Sequence, residues 1–190
     1  MRCHLRGVPA LALLAVLLGL AGCSGLSGLP PIPPTSTADY RLGAGDQVRL
    51  ITFGDEQLTG EFRVNDNGNI ALPLLGAVKA AGMTTTELQT EVTEALTSRN
   101  LYKDPSVSVE VIAYRPVFVL GEVARPGQYP YQPGMTVVTA VAIAGGFTYR
   151  AIEDQVSIVR AVNDKAVEGR AARQTPVRPG DVITVHERTF

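Results

Sequence analysis

Apolar side chains change their spacing from every fourth residue to every second residue between positions 84 and 111, so one short segment requires both a helix and a strand. Leu88, Val92 and Leu96 repeat at the helical spacing. Thr84 and Glu87 stand three residues apart at the start of this repeat, which is the pattern of a capping box. The spacing predicts a helix over residues 84–99.

The strand period follows directly after this helix. Val107, Val109 and Val111 alternate with Ser and Glu, which is the pattern of a half-buried strand. Val48 and Leu50 alternate with polar neighbours in the same way, after a Gly-Asp turn. Residues 40–113 are therefore predicted to form a compact α+β unit.

Asn67 and Gly68 are the kind of pair that accepts the positive φ values of a tight turn. Apolar residues at 62 and 64 precede the pair and others at 70 and 72 follow it, which predicts a hairpin over residues 61–76. The Asn-Asp-Asn-Gly-Asn run around the pair is rich in oxygen, as calcium loops are, but it lacks the bidentate Glu at the twelfth position. A turn accounts for the run without a metal.

A second unit is predicted to begin at residue 115. Gly121 and Gly127 bend residues 117–131 into a short meander. Thr136 is the predicted N-cap of a second helix, which Gly145 and Gly146 end. Strands are predicted at residues 155–160 and 182–185, and residues 163–173 are predicted to be a hairpin or a loop.

The N-terminus has the pattern of a secretory signal peptide. Arg2 and Arg6 precede an apolar run that is shorter than the ~20 residues needed to span a bilayer. The run ends in Leu-Ala-Gly-Cys, which resembles the lipobox of bacterial lipoproteins, where the signal is removed before the cysteine and lipid is attached to it. We expect Cys23 to be lipidated. The alternative is a signal peptide that happens to contain an unmodified cysteine.

Residues 23–38 are rich in Gly, Ser, Pro and Thr, so they are predicted to stay unpacked as an extended tether. Removal of residues 1–22 takes away two of the 17 basic side chains and none of the 18 acidic ones, which leaves a net charge near −3. The remaining Lys and Arg are scattered singly. This distribution excludes the nucleic-acid-binding class.

No residue has the neighbours that catalysis would need. His186 is the single histidine of the mature chain and is expected to be exposed at a strand end. Asp55 and Glu56 are adjacent, so they point to opposite faces and are interpreted as solvated charges and not as a glycosidase pair. Gly145 and Gly146 lack the lysine of a phosphate loop. We predict no catalytic residue, no metal site and no cofactor.

Four aromatic residues, Tyr129, Tyr131, Phe147 and Tyr149, lie close in sequence around the second helix. Flat rings of this kind stack on sugars, but they also pack in small domains. Packing is the favoured interpretation.

The order of the motifs is similar to that of a known family. YRLGAGDQVRL, VNDNGNIALPLLGAVKAAGMTTTEL and DPSVSVEV resemble the export domain of the bacterial outer-membrane polysaccharide export family. VFVLGEVARPGQYPYQPGMTVVTAVAIAGGF, followed by RPGDVITV, resembles the soluble-ligand-binding β-grasp (SLBB) module that comes next in those proteins. The turn residues of the matching motifs are Gly43, Gly45, Asp46, Gly68, Gly76, Gly121, Gly127, Gly145 and Gly146.

The resemblance implies an α+β fold with four segments: a signal peptide at 1–22, a tether at 23–38, a polysaccharide export domain at 39–114 and an SLBB β-grasp domain at 115–190. It implies a lipoprotein of the outer membrane, facing the periplasm, that forms a homo-oligomeric ring for the export of capsular polysaccharide or exopolysaccharide. An inner-membrane polysaccharide co-polymerase or tyrosine autokinase is the implied partner.

The sequence also departs from the family pattern. Fuller members end in an amphipathic helix that forms a pore, and no such segment follows residue 185. We therefore expect a short form, with a separate outer-membrane barrel as a candidate partner. The alternative function is a monomeric saccharide-binding or adaptor lipoprotein that forms no conduit.

Overall fold

A computed structural model describes residues 26–34, 40–162 and 165–188, and the described residues pack around two hydrophobic cores. The first core contains an antiparallel three-stranded sheet, a two-stranded hairpin and one helix. In chain order these elements are β1 (Gln47–Thr52), β2 (Asp55–Arg63), β3 (Asn69–Leu72), β4 (Gly76–Lys79), α1 (Thr85–Ser98) and β5 (Val107–Ala113). The sheet has the order β2-β1-β5, and α1 packs against β5.

The predicted first helix is confirmed, with its cap. The Thr84 hydroxyl accepts from the Glu87 amide at 3.1 Å, and the Glu87 carboxylate accepts from the Thr84 amide at 2.9 Å. Two backbone donors that a helix start leaves without partners are satisfied in this way. Leu88, Val92 and Leu96 are the buried residues of α1, as their spacing predicted.

The hairpin predicted around Asn67 and Gly68 is wrong. A turn is present, since the Gly68 amide donates to the Asn65 carbonyl, but the strands on its two sides pair elsewhere. β2 pairs with β1 through a two-residue turn, and β3 pairs with β4. Alternation of apolar residues identifies strands, but the backbone hydrogen bonds that pair them carry no side-chain signal.

The second core lies under a mixed five-stranded sheet. Its elements are β6 (Val117–Gly121), β7 (Gly127–Tyr129), α2 (Val137–Ile143), β8 (Gln155–Val162), β9 (Lys165–Ala172) and β10 (Val182–Val185). The strand order is β7-β6-β10-β8-β9, with β6 and β10 parallel and the other pairs antiparallel. The predicted helix and strands are confirmed, and within the range predicted as a hairpin or a loop, residues 165–172 form β9 and pair with β8. The α+β class is confirmed.

The tether prediction is wrong for residues 30–33, which dock on β9. The Ile32 amide donates to the Arg170 carbonyl at 2.9 Å, and the Arg170 amide donates to the Pro30 carbonyl at 2.8 Å. Ile32 is only 6% exposed and belongs to the second core. One apolar residue that reaches a core is enough to hold a Pro-rich segment, because this segment also covers the free edge of the sheet. The signal peptide and Cys23 lie outside the described residues.

Candidate functional site

A polar cluster at the junction of the two cores begins at Asp46, which is fully buried directly before β1. Its carboxylate accepts from the Gly43 amide at 2.8 Å, from the Arg115 amide at 2.8 Å and from the Tyr40 hydroxyl. A buried carboxylate is costly unless donors surround it, and three donors do so here. We call residues 43–46 the first Gly-Asp loop.

Residues 178–181, the second Gly-Asp loop, repeat this geometry before β10. The Asp181 carboxylate accepts from the Arg178 amide at 2.8 Å, while the Asp181 amide donates to the Arg178 carbonyl at 3.1 Å. The same reciprocal pair joins Asp46 and Gly43. Asp181 also holds the buried Arg160 in a bidentate ion pair, with distances of 3.0 and 2.6 Å. The two Gly-Asp motifs of the sequence are thus two copies of one local turn.

Arg115 bridges the two Gly-Asp loops. Its Nε donates to the Pro179 carbonyl at 3.2 Å, and its backbone amide is held by Asp46. A Cβ at Gly43 would lie 1.7 Å from Arg115 Nη1, and a Cβ at Gly180 would lie 3.3 Å from its Cδ. Glycine at both positions therefore leaves the room that the guanidinium occupies. Sequence reasoning missed Arg115, although the two Gly-Asp motifs were a signal for the loops that it joins.

Three tyrosine rings lie beside the Gly-Asp loops, at the junction between the two cores. Tyr40 and Tyr114 meet edge to face at 5.0 Å, and Tyr114 and Tyr131 do so at 5.3 Å. Burial raises the pKa of the Tyr40 phenol well above its usual range, and its hydrogen bond to Asp46 raises the pKa further. Burial also raises the pKa of Tyr131. These ring contacts and the hydrogen bonds to Asp46 join the two domains, so the junction has the properties of a structural joint.

The remaining turn residues from the sequence do not gather at one site. Gly68 lies beside Ala81, and Gly76 follows the turn between β3 and β4. Gly121 ends β6, Gly127 begins β7, and the pair at 145 and 146 follows α2. Gly121 is the most constrained, because it has a φ of +82° and a Cβ there would lie 2.0 Å from the Val185 carbonyl oxygen. Their assignment as turn residues of the family motifs stays a prediction.

The residues that the sequence analysis considered for catalysis, His186, Asp55 and Glu56, have other contacts than the junction residues. His186 is half-buried and not exposed as expected, since its Nε2 lies 2.9 Å from the Oγ of the buried Ser157. Asp55 lies in β2, where its carboxylate accepts from two backbone amides, and Glu56 beside it is exposed. In the described ranges, no group of three or more His, Cys, Asp or Glu side chains is placed to hold a metal ion.

The aromatic residues around α2 divide into two groups. Tyr129, Tyr131 and Phe147 pack against the second core, as the packing interpretation predicted. Tyr149 is 89% exposed, so packing does not account for it. Over the part of the chain that the structure describes, no helix is long and apolar enough to cross a membrane.

Comparison with known proteins finds a family match in each half of the chain. Residues 34–112 match the family described as polysaccharide biosynthesis/export protein, and residues 116–171 match the SLBB domain. The exopolysaccharide production protein ExoF of Rhizobium meliloti is 36% identical over an alignment of 119 residues, and the match covers 57% of this chain and 28% of that protein.

Two further relatives come from other bacteria. The EPS I polysaccharide export outer membrane protein EpsA of Ralstonia nicotianae is 31% identical over 155 residues, or 76% of this chain and 40% of that protein. The polysialic acid transport protein KpsD of Escherichia coli is 31% identical over 111 residues, or 57% of this chain and 20% of that protein. The chain spans less than half the length of these relatives.

Proposed function

Because the chain carries a domain of the polysaccharide biosynthesis/export family followed by an SLBB domain, we propose that it takes part in the export of capsular polysaccharide or exopolysaccharide. The order of the two domains is the observation that carries this proposal. The names of the relatives support it, since they refer to exopolysaccharide production, polysaccharide export and polysialic acid transport. Export of a finished polymer needs no covalent step by this protein.

The proposed working form is a homo-oligomeric ring that forms part of a translocon across the cell envelope. Arg115 and the two Gly-Asp loops support this form, because a ring needs protomers whose two domains keep one relative orientation. An inner-membrane polysaccharide co-polymerase or tyrosine autokinase is the proposed partner. Polymerisation at that membrane supplies the direction of movement.

The proposed location is the outer membrane, with lipid on Cys23 and the folded chain in the periplasm. Each buried methylene of an acyl chain contributes ~0.8 kcal/mol, so several chains hold the protein firmly. Residues 30–33 are held on β9, and an extended chain spans at most about 3.5 Å per residue. The seven steps from Cys23 to Pro30 therefore keep the second domain within about 25 Å of the lipid.

Deletion of the gene tests the proposed function. We expect the polymer to accumulate inside the envelope, and we expect the wild-type protein to restore its release while Cys23→Ala does not. Normal release from the deletion strain would refute the role in export. The native mass of the detergent-extracted protein tests the ring, since a closed oligomer of lipidated protomers supports it and a lipidated monomer supports the adaptor alternative.

A further inference from the structure

One face of the second domain carries a connected network of arginine and aromatic side chains. Arg173 lies over the Phe147 ring, 5.8 Å from its centroid, and reaches the Glu153 carboxylate at 4.0 Å. Arg188 reaches the same carboxylate at 4.0 Å. The Arg188 amide donates to the Arg150 carbonyl. We call these side chains, with the neighbouring exposed Tyr149, the arginine-aromatic patch: Phe147, Tyr149, Arg150, Arg173 and Arg188.

The ion pairs of the patch leave positive charge at its surface. Arg173 and Arg188 share Glu153, and Arg150 pairs with Glu187, so three guanidinium groups face two carboxylates. The three arginine side chains are 45–53% exposed, and a pair at 4.0 Å between exposed groups is weak. An incoming carboxylate is therefore able to compete for the guanidinium groups of Arg173 and Arg188, whose planar fork fits a carboxylate.

Other acids limit how far this charge acts. Glu122 accepts from the Thr148 hydroxyl beside the patch, and Asp154 follows Glu153 in the chain. With these two acids, four carboxylates stand near the three guanidinium groups, so the region has no net positive charge and gives no attraction at long range. Recognition by the patch would depend on close contact with a guanidinium.

Tyr149 supplies an exposed apolar surface one residue before Arg150 in the chain. Its side chain is 89% exposed and lies between Phe147 and Arg150 in the chain. A pyranose ring has apolar C–H faces, and an aromatic ring offers a large, rigid surface for them. A sugar that carries a carboxylate would meet both a ring and a guanidinium at this patch.

We propose that the arginine-aromatic patch is a contact site for a carboxylate-bearing polysaccharide. The proposal rests on the proposed function and names the class of polymer that this surface fits. The patch lies on an open surface, so each contact is weak and quickly released. Weak contacts suit a polymer that has to move along the protein.

Fluorescence anisotropy with a labelled oligogalacturonate and a labelled malto-oligosaccharide of equal length tests the proposal on the detergent-solubilised mature protein. We expect the acidic probe to bind and the neutral probe to bind at least tenfold more weakly. Tyr149→Ala and Arg173→Gln should each weaken binding of the acidic probe about fivefold. Phe53→Ala and Arg49→Gln are matched controls in the first domain, because Phe53 is 87% exposed and Arg49 is as exposed as Arg173.

Equal binding of the two probes, no binding of either, or equal losses in the control variants would overturn the proposal. Export assays separate this failure from that of the proposed function. If the deletion strain retains its polymer while the two patch variants release it normally, the role in export stands and the contact site is wrong. If the deletion strain releases polymer normally, the proposed function itself fails.

Discussion

Replacement of Gly169 by Ala is expected to release the N-terminal segment from β9. A Cβ at Gly169 would lie 2.8 Å from both the Cα and the amide nitrogen of Ile32, and 2.9 Å from the Pro30 carbonyl oxygen. These are backbone atoms, so no side-chain rotation relieves the clash. Release exposes Ile32, which costs about 2 kcal/mol, and breaks two backbone hydrogen bonds at about 1 kcal/mol each.

Together these contacts stabilise the docked segment by about 4 kcal/mol. This is an upper limit, since residues 30–33 regain conformational entropy when they leave β9. If Gly169→Ala removes about 2 kcal/mol of this docking free energy, the equilibrium between docked and undocked segment changes more than tenfold. Hydrogen exchange measures this change directly, because the amides of Ile32 and Arg170 are the two donors. Both amides should exchange at least tenfold faster in Gly169→Ala than in the wild type.

Gly127→Ala is the control for this experiment. Gly127 also lies in the five-stranded sheet, but a Cβ there meets nothing closer than a Tyr129 ring carbon at 4.0 Å. The control should leave the exchange of Ile32 and Arg170 unchanged. Unchanged protection in Gly169→Ala as well would refute the docking of residues 30–33 on β9.

Three further predictions concern single residues. Gly121→Ala should lower the free energy of unfolding by at least about 2 kcal/mol in denaturant titrations, because left-handed backbone strain adds to the clash with Val185. Asp181→Asn should cost about 3–5 kcal/mol in thermal unfolding, because it removes the charge that faces the buried guanidinium of Arg160. The raised pKa of Tyr40 means that the folded protein holds this proton more tightly than the unfolded chain, so stability should fall as pH rises above about 10. Tyr40→Phe should remove that part of the pH dependence, which unfolding measured from pH 8 to 11 would reveal.

Each of these outcomes has a contrary result. A loss below 1 kcal/mol for Gly121→Ala or Asp181→Asn would mean that the surrounding backbone or water accommodates the change. A phenol at position 40 that titrates near pH 10, followed by ultraviolet absorbance in the folded protein, would contradict the burial that raises its pKa.

The features that sequence reasoning predicted correctly are local. The capping box of Thr84 and Glu87 lies within four residues, and the spacing of Leu88, Val92 and Leu96 lies within nine. A turn at Gly68 was also correct, because a positive φ is a property of one residue. The order of family motifs along the chain likewise needs no contact between distant residues.

The features that sequence reasoning missed at the candidate site depend on distant contacts. The sequence contains Gly-Asp before both β1 and β10, but it did not reveal that Arg115 joins the two loops. Tyr114 was missed for the same reason. Its ring contacts Tyr40, which is far away in the chain, and Tyr131, which lies in the other domain. No spacing rule connects an arginine with a carbonyl 64 residues away.

By itself, the sequence determined the positions of the helices and most of the strand positions, because periodicity, caps and short motifs act within a few neighbouring residues. Only the tertiary structure decided that β2 pairs with β1, that Ile32 enters the second core and that one arginine joins the two loops. These choices follow from burial and hydrogen bonding summed over residues far apart in the chain. The residues from 30 to 33 show the difference, since their composition predicts an unpacked tether and a sheet edge across the molecule holds them in place.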